Sequence, residues 1–207
     1  MNIALQHISK RFRKDWIFRN VSLELQTGTC NAITGNNGSG KSTLLQIIAG
    51  FLSPTDGEIQ WSLKQENISR DEIFRHVAIC SPALQVWDDL SLEENVGLFL
   101  RFKKLPSCNS TQEFAKQIHL ENNLHQPLKT YSSGMKQRVK LGLSILSDSQ
   151  LLLLDEPCSH LDSSGVHWYQ TLLRDYVQNR TIVIASNRDE RETFICTQHI
   201  DVNSYKA

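Results

Sequence analysis

Short apolar runs divide this chain into strands that belong to two kinds of sheet. Alternation of apolar and polar positions predicts exposed strands at 2–7, 17–26 and 57–61, with a turn at 53–57 before the third. Continuous apolar runs predict buried strands at 30–34, 77–80, 151–154 and 181–185, and 199–202 resembles a last edge strand. Because only strands covered on both faces are apolar throughout, these buried runs indicate a parallel sheet between helices.

Helical periodicity separates the buried runs. The spacing of Leu44, Leu45, Ile47 and Ile48 predicts a helix over 42–51. Residues 87–147 are expected to be mainly helical, with a helix from the Ser91 capping box to residue 102, another over 111–120, and a third that begins near Ser133. Strands alternating with helices predict an α/β fold.

A glycine-rich segment between the strand 30–34 and the helix that follows fits the pattern G-x-x-x-x-G-K-[ST]. Glycines allow successive backbone N–H groups to face one anion, and the helix N-terminus adds its dipole. Lys41 can reach the β- and γ-phosphates of a nucleotide, and the Ser42 hydroxyl can bind Mg²⁺. The predicted nucleotide-binding residues are Gly35, Asn36, Asn37, Gly38, Ser39, Gly40, Lys41, Ser42 and Thr43.

Two carboxylates follow the apolar run 151–154. Asp155 and Glu156 precede Pro157, and ligands of parallel sheets bind at the carboxyl ends of strands. Asp155 is therefore predicted to hold Mg²⁺ in the manner of a Walker-B aspartate, and Glu156 to act as the general base on the attacking water.

Two further motifs narrow the choice among families of phosphate-loop proteins. The segment 131–138, Tyr-Ser-Ser-Gly-Met-Lys-Gln-Arg, resembles the signature of ATP-binding cassette (ABC) ATPases, and 159–162 resembles their D-loop, with Asp162 as its acidic residue. Ser132 can cap the helix that follows, and Gly134 leaves its first turn open to a ligand. The ordered motifs span residues 35–162, so the resemblance covers essentially the whole chain.

The resemblance implies a P-loop NTPase core with a mainly parallel sheet, a small antiparallel β-layer and a helical insert. It predicts one ABC domain over residues 1–207, in which about 1–84 and 148–207 form the catalytic core and about 85–147 the helical subdomain. Phe12, shortly after the first strand, matches the aromatic that stacks on adenine in this family, with Trp16 as the second candidate. Simple packing is the alternative for Phe12.

The resemblance also implies partners. Two copies, or one copy and a homologue, would pack head to tail around Mg-ATP, so that Ser132, Ser133, Gly134 and Met135 of one subunit meet the nucleotide of the other. A separate integral-membrane permease would be driven by this cycle. Its docking surface would lie at 82–89, with Val86 and Trp87 as apolar anchors, although interior packing is an equal alternative for Trp87.

The chain departs from the family pattern at two positions. Pro82 stands where the family has its Q-loop glutamine, and Gln85 is the nearest replacement that could reach Mg²⁺ or the water. Asn187 stands where the family has its switch histidine, and an amide can donate a hydrogen bond to a phosphate but carries no charge. Lys41, Glu156 and Asn187 are thus the candidate catalytic residues, and hydrolysis is expected to be slow.

Composition excludes other classes. The 22 Lys and Arg residues balance 22 Asp and Glu residues, so no nucleic-acid partner is expected. No stretch approaches the roughly 20 apolar residues of a transmembrane helix, and no secretory signal begins the chain, which predicts a cytoplasmic protein. The resemblance to ABC ATPases implies that it is peripheral on the inner face of the cell membrane. Five scattered cysteines are expected to be reduced thiols.

The alternative function is a soluble or regulatory ABC ATPase that hydrolyses weakly and moves no solute.

Overall fold

The strands form two sheets in this computed structural model, which describes residues 1–177 and 179–206. The strands are β1 (Asn2–Phe12), β2 (Asp15–Leu25), β3 (Cys30–Thr34), β4 (Asp56–Leu63), β5 (Glu66–Ile68), β6 (Val77–Cys80), β7 (Leu151–Asp155), β8 (Thr181–Ser186) and β9 (Gln198–Asp201). The helices are α1 (Lys41–Ile48), α2 (Leu92–Phe99), α3 (Thr111–Gln117), α4 (Ser133–Ile145), α5 (Ser163–Tyr176) and α6 (Glu190–Thr193).

The central sheet has the strand order β6-β7-β8-β3-β9, and β3 pairs in parallel with both β8 and β9. Every residue of β3, β7 and β8 is buried. This confirms the parallel sheet predicted from the apolar runs. Parallel pairing places the ends of β3, β7 and β8 along one edge, with Thr34 opposite Ser186 and Asp155 opposite Ala185. His199 is exposed on the edge strand β9.

The second sheet is antiparallel, with the order β2-β1-β4-β5, and it corresponds to the predicted β-layer. Its strands are longer than the alternation indicates, because β1 and β2 continue as a hairpin to a turn at Arg13, whose φ is 54°. Apolar side chains of this sheet, of α1 and of the central strands form one core, which includes Ile8, Phe18, Leu44 and Val183.

The predicted helices are present but shorter than the periodicity suggests. Helix α1 is followed by Gly50 with φ of 77°, and α3 stops two residues before His119, whose φ is 59°. A left-handed residue cannot continue a right-handed helix, so each ends there. The predicted capping box is confirmed, since Ser91 Oγ accepts from Glu94 N and the Glu94 carboxylate accepts from Ser91 N at 2.8 Å.

The chain divides into two compact units. The first contains Met1–Ile79, Ser149–Glu156 and the described residues beyond 178, and so carries both sheets apart from the end of β6. The second contains Cys80–Asp148 and Pro157–Val177, and it is built from α2 to α5. No helix in the described part of the chain is long and apolar enough to cross a bilayer.

The expectation of five reduced cysteines is wrong for two of them. Cys30 and Cys196, which are 166 positions apart in the chain, form a disulfide, with their Cα atoms 4.5 Å apart. Cys30 begins β3 and Cys196 lies just before β9, so the parallel pairing of these strands brings the two together. Spacing along the chain carries no sign of this contact.

Candidate nucleotide site

The segment between β3 and α1 forms a loop whose backbone depends on its glycines. Gly38 and Gly40 have φ values of 73° and 103°, which side chains with a Cβ rarely adopt. A Cβ on Gly40 would lie 2.5 Å from Ile17 Cγ2, so the neighbouring β2 strand closes this side of the loop. A Cβ on Gly38 would meet nothing within 4 Å. The loop therefore packs on one side and is open on the other.

One buried polar atom in the loop has no partner. Ser39 is 1% exposed, and its Oγ makes no hydrogen bond. A buried hydroxyl without a partner costs free energy, and such groups are usually satisfied by a ligand or water. Together with the open face at Gly38 and the N-terminus of α1 at Lys41, this orphaned hydroxyl fits a phosphate group.

Lys41 is 5% exposed and folds back over the loop. Its Nζ donates to Gly35 O at 2.9 Å, to Asn36 O at 3.1 Å and to Asn187 Oδ1 at 2.5 Å. All three acceptors are neutral oxygens, so the ammonium charge has no counter-ion among these partners. A phosphate in the loop would supply that counter-ion.

Asn187 joins the candidate catalytic residues into one hydrogen-bond network. Its Oδ1 accepts from Lys41, while its Nδ2 donates to Glu156 Oε1 at 3.0 Å and to Asn37 Oδ1 at 2.5 Å. One amide thus contacts the loop lysine, the candidate base and the loop itself. Nothing in the sequence predicts the bond from Asn187 to Asn37. From the sequence, only a contact between Asn187 and phosphate is expected.

The two carboxylates at the end of β7 have different surroundings. Asp155 is 3% exposed, whereas Glu156 is half-buried. Glu156 has φ of 48°, a conformation that costs a non-glycine residue roughly 1–2 kcal/mol, and its N–H donates to Ala185 O at 2.9 Å. This turn directs the Glu156 side chain to Asn187.

The residues predicted to hold Mg²⁺ are few, which suits an ion that keeps most of its bound water. Ser42 is exposed at the start of α1, and Asp155 ends β7. Within residues 1–177 and 179–206, no group of three His, Cys, Asp or Glu side chains is placed to hold a metal. A hydroxyl and one carboxylate, completed by phosphates and water, match the preference of Mg²⁺ for few protein ligands.

Two aromatic side chains lie near the turn of the β1–β2 hairpin. Phe12 is 47% exposed, with Lys10 Nζ 5.0 Å from its ring centroid. Trp16 lies between two guanidinium groups, with Arg11 Cζ at 5.2 Å and Arg19 Cζ at 4.7 Å. Phe12 therefore has the freer ring face, and its assignment to adenine stays a prediction.

The second unit carries the signature segment. Ser132 caps α4, its Oγ accepting from Met135 N at 3.2 Å, as predicted. A Cβ on Gly134 would lie 2.9 Å from His160 O, so this position has room for glycine alone. Ser132 and Ser133 are exposed at the helix N-terminus, and Gly134 and Met135 are half-buried. The four residues present an open first turn.

Asp162, in the same unit, caps α5. Its Oδ1 accepts from Gly165 N at 2.7 Å and from Ser164 Oγ at 2.9 Å, and these bonds lower the pKa of the Asp162 carboxyl. Arg138, from the signature helix, lies 4.0 Å from Asp162 and stacks over the Trp168 ring at 5.3 Å. Arg138 thus links the signature helix to the D-loop, a role that sequence reasoning missed.

The segment that replaces the Q-loop lies on the surface of the second unit. Pro82 and Gln85 are exposed and line a cavity of about 240 Å³ with residues of α4. Trp87 is 64% exposed, so the alternative of interior packing is wrong. Assignment of Gln85 as a metal ligand stays a prediction.

The segment around Trp87 is held in place by polar contacts. Asn95 Oδ1 accepts from Trp87 N at 2.9 Å, and Asn95 Nδ2 donates to Trp87 O at 3.0 Å. Asp88 pairs with Lys136 of the signature helix at 2.8 Å. These contacts hold the backbone at Trp87 and Asp88, and the Trp87 side chain is exposed to solvent.

Comparisons with known proteins agree on the kind of domain. The model of the protein family described as ABC transporter matches residues 18–159 of this chain. The chain is 29% identical over 203 residues to the uncharacterized ABC transporter ATP-binding protein YybJ of Bacillus subtilis, covering 97% of this chain and 92% of that protein. It is 32% identical to the human cholesterol transporter ABCA5 over 89% of this chain but only 12% of that protein.

Solved structures confirm the fold. A putative ABC transporter ATP-binding protein from Pyrococcus furiosus superposes with a TM-score of 0.83 over 100% of both chains at 18% identity. An ATP-binding cassette, solved as a dimer in a post-hydrolysis state with ADP and Pi bound, superposes with a TM-score of 0.83 at 24% identity, covering 96% of this chain and 93% of that one.

Proposed function

The chain belongs to the ABC transporter family, and from that membership we propose that it binds and hydrolyses ATP to power a separate membrane permease. The observation that carries this proposal is the network in which one amide, Asn187, contacts both Lys41 and Glu156 beside the phosphate loop. This network supports the proposal because the two ends of the Asn187 amide contact Lys41, the proposed phosphate-binding group, and Glu156, the proposed general base.

Each residue of the network has one task in hydrolysis. Lys41 exchanges its carbonyl partners for the β- and γ-phosphates, and Ser39 Oγ gains a partner there. Glu156 accepts a proton from the attacking water. Ser42 and Asp155 hold Mg²⁺, which, when bound, neutralises charge on the phosphates. Asn187 orients Glu156 through one hydrogen bond and contacts Lys41 through another, so it couples the position of the base to the binding of phosphate by Lys41.

Two subunits complete each site in this proposal. The exposed N-terminus of α4, with Ser132 and Gly134, supplies donors to the γ-phosphate bound by the other subunit. The dimeric cassette with ADP and Pi supports this arrangement at the level of fold. The partner is a second copy or a homologous subunit.

Hydrolysis is proposed to be slow. An amide at position 187 can donate to a phosphate or to Glu156, but it cannot take up a proton as the transition state develops. Pro82 removes the side chain that would link a docked permease to the nucleotide. These two features favour, as the second candidate function, a regulatory subunit that binds ATP and barely hydrolyses it.

The exposed Trp87 is the proposed anchor for the permease. It stands on a segment fixed by Asn95 and by the Asp88–Lys136 pair, and exposed tryptophans are common interface hot spots. Docking there places the protein on the cytoplasmic face of the membrane.

A pull-down from native membranes tests the proposed function. Tagged Glu156→Gln protein, captured with Mg-ATP from detergent-solubilised membranes of the source cell, should retain one multi-span membrane protein in stoichiometric amount. Adding Trp87→Ala should release that protein, whereas Phe74→Ala, which removes another exposed aromatic, should not. Recovery of the cassette alone, or with soluble partners only, would favour the regulatory function.

Phe12→Ala is expected to weaken ATP binding by about tenfold, because an aromatic–base stack contributes roughly 1–3 kcal/mol. Trp16→Ala should leave ATP affinity unchanged, since its ring lies between Arg11 and Arg19. Isothermal titration calorimetry of both variants measures the two affinities. The reverse ranking would assign the adenine contact to Trp16.

A further inference from the structure

The turn that follows α2 carries the most exposed aromatic side chain of the described residues. Phe102 is 80% exposed, and its neighbour Leu100 is 45% exposed. Arg101, Lys103 and Lys104 surround Phe102 in the sequence, and residues 97–110 contain no Asp or Glu. Residues 100–104, which we name the basic tip, thus expose Phe102 together with Arg101 and Lys104, while Lys103 is half-buried and has an interaction of its own.

The basic tip is a fixed structure. Phe102 N donates to Phe99 O at 2.9 Å, and Lys103 N donates to the same carbonyl at 3.0 Å. On the far side, Asp148 N donates to Lys104 O at 2.9 Å, and Leu105 is 4% exposed. Backbone bonds on both sides and a buried leucine therefore hold the backbone of the turn that exposes Phe102.

We propose that the basic tip binds the anionic surface of a lipid bilayer. Cations near an anionic leaflet gain electrostatic free energy, and an exposed aromatic ring suits the headgroup boundary. A protein partner would require a larger apolar area, because interface anchors enter pockets and are surrounded by further apolar contacts. Here a single ring and one leucine are exposed at a turn, and their neighbours in the sequence include three cations and no carboxylate.

A second basic and aromatic segment, residues 10–14, does not offer the same surface. Lys10 Nζ donates to Ser53 O at 2.8 Å and also covers Phe12, and the Arg11 guanidinium lies over Trp16. Two of its four cations are thus engaged within the protein, Arg13 and Lys14 are exposed, and its phenylalanine is only 47% exposed. This segment therefore serves as the internal comparison for the basic tip.

Vesicle flotation with the full chain tests the proposal. Vesicles of phosphatidylcholine with about 30% phosphatidylglycerol should bind the protein, pure phosphatidylcholine vesicles should not, and 0.5 M NaCl should release it, since salt screens such contacts. Arg101→Gln with Lys104→Gln should weaken binding at least about tenfold, and Phe102→Ser at least about threefold. These sites are exposed or half-buried, and unchanged thermal melting and ATP binding would show that the variants fold.

Matched variants complete the test. Phe74→Ser removes another exposed aromatic, and Arg13→Gln with Lys14→Gln removes two other cations, so neither should change flotation. Equal binding to both vesicle types, loss of binding in the Arg13/Lys14 variant, or full binding by Phe102→Ser would each overturn the proposal. So would a Phe102→Ser variant that loses the co-purified permease but floats normally, because that result assigns the basic tip to a protein partner.

Discussion

Glu156→Gln is expected to reduce ATP turnover by about a thousandfold while ATP binding is retained. Glutamine keeps the shape of glutamate and an oxygen that can accept the bond from Asn187 Nδ2, now 3.0 Å from Glu156 Oε1. It cannot accept a proton from water, and general-base catalysis contributes typically 10²–10⁴-fold. Phosphate release measures turnover, and calorimetry measures ATP affinity.

The same variant should accumulate as a dimer with Mg-ATP, because hydrolysis no longer opens the assembly. Size-exclusion chromatography with and without nucleotide detects this shift. Glu66→Gln, which changes an exposed carboxylate on β5, is the control and should hydrolyse ATP normally. Turnover by Glu156→Gln at the native rate would remove Glu156 as the base, and another group would then have to activate the water.

The fold was predictable because its signals are local. A glycine-rich loop, an all-apolar strand and a serine cap each depend on a few neighbouring residues, as the caps at Ser91 and Ser132 illustrate. Helix ends were less predictable, since α3 stops two residues before a left-handed His119 that no periodicity reveals.

Contacts between distant parts of the chain were not predictable. The bond from Lys41 to Asn187 spans 146 positions, and the one from Asn187 to Asn37 spans 150. Parallel pairing of β3 with β8 and β9 creates these contacts and also joins Cys30 to Cys196. The sequence identified the chemistry of Asn187 but gave no sign that one amide would contact both catalytic partners.

Asn187→Ala is expected to lower turnover by about a hundredfold. The amide makes one bond to the Lys41 ammonium and one to the Glu156 carboxylate, and a hydrogen bond to a charged group contributes roughly 1.5–3 kcal/mol. The proposed mechanism keeps both bonds in the transition state, so losing them raises the barrier by about 3 kcal/mol, hence the hundredfold effect. Asn67→Ala, at an exposed asparagine on β5, should leave turnover unchanged.

Asn187→His separates orientation from proton chemistry at this position. An imidazole can contact Glu156 and phosphate as the amide does, but it also titrates near pH 6.5, which the amide does not. We therefore expect turnover to increase several-fold and to acquire a pH dependence between about 6 and 8 that the native protein lacks at this residue. The pH profile of phosphate release measures both effects. If turnover and profile match those of the native protein, Asn187 does not limit hydrolysis, and the slow step lies elsewhere in the cycle.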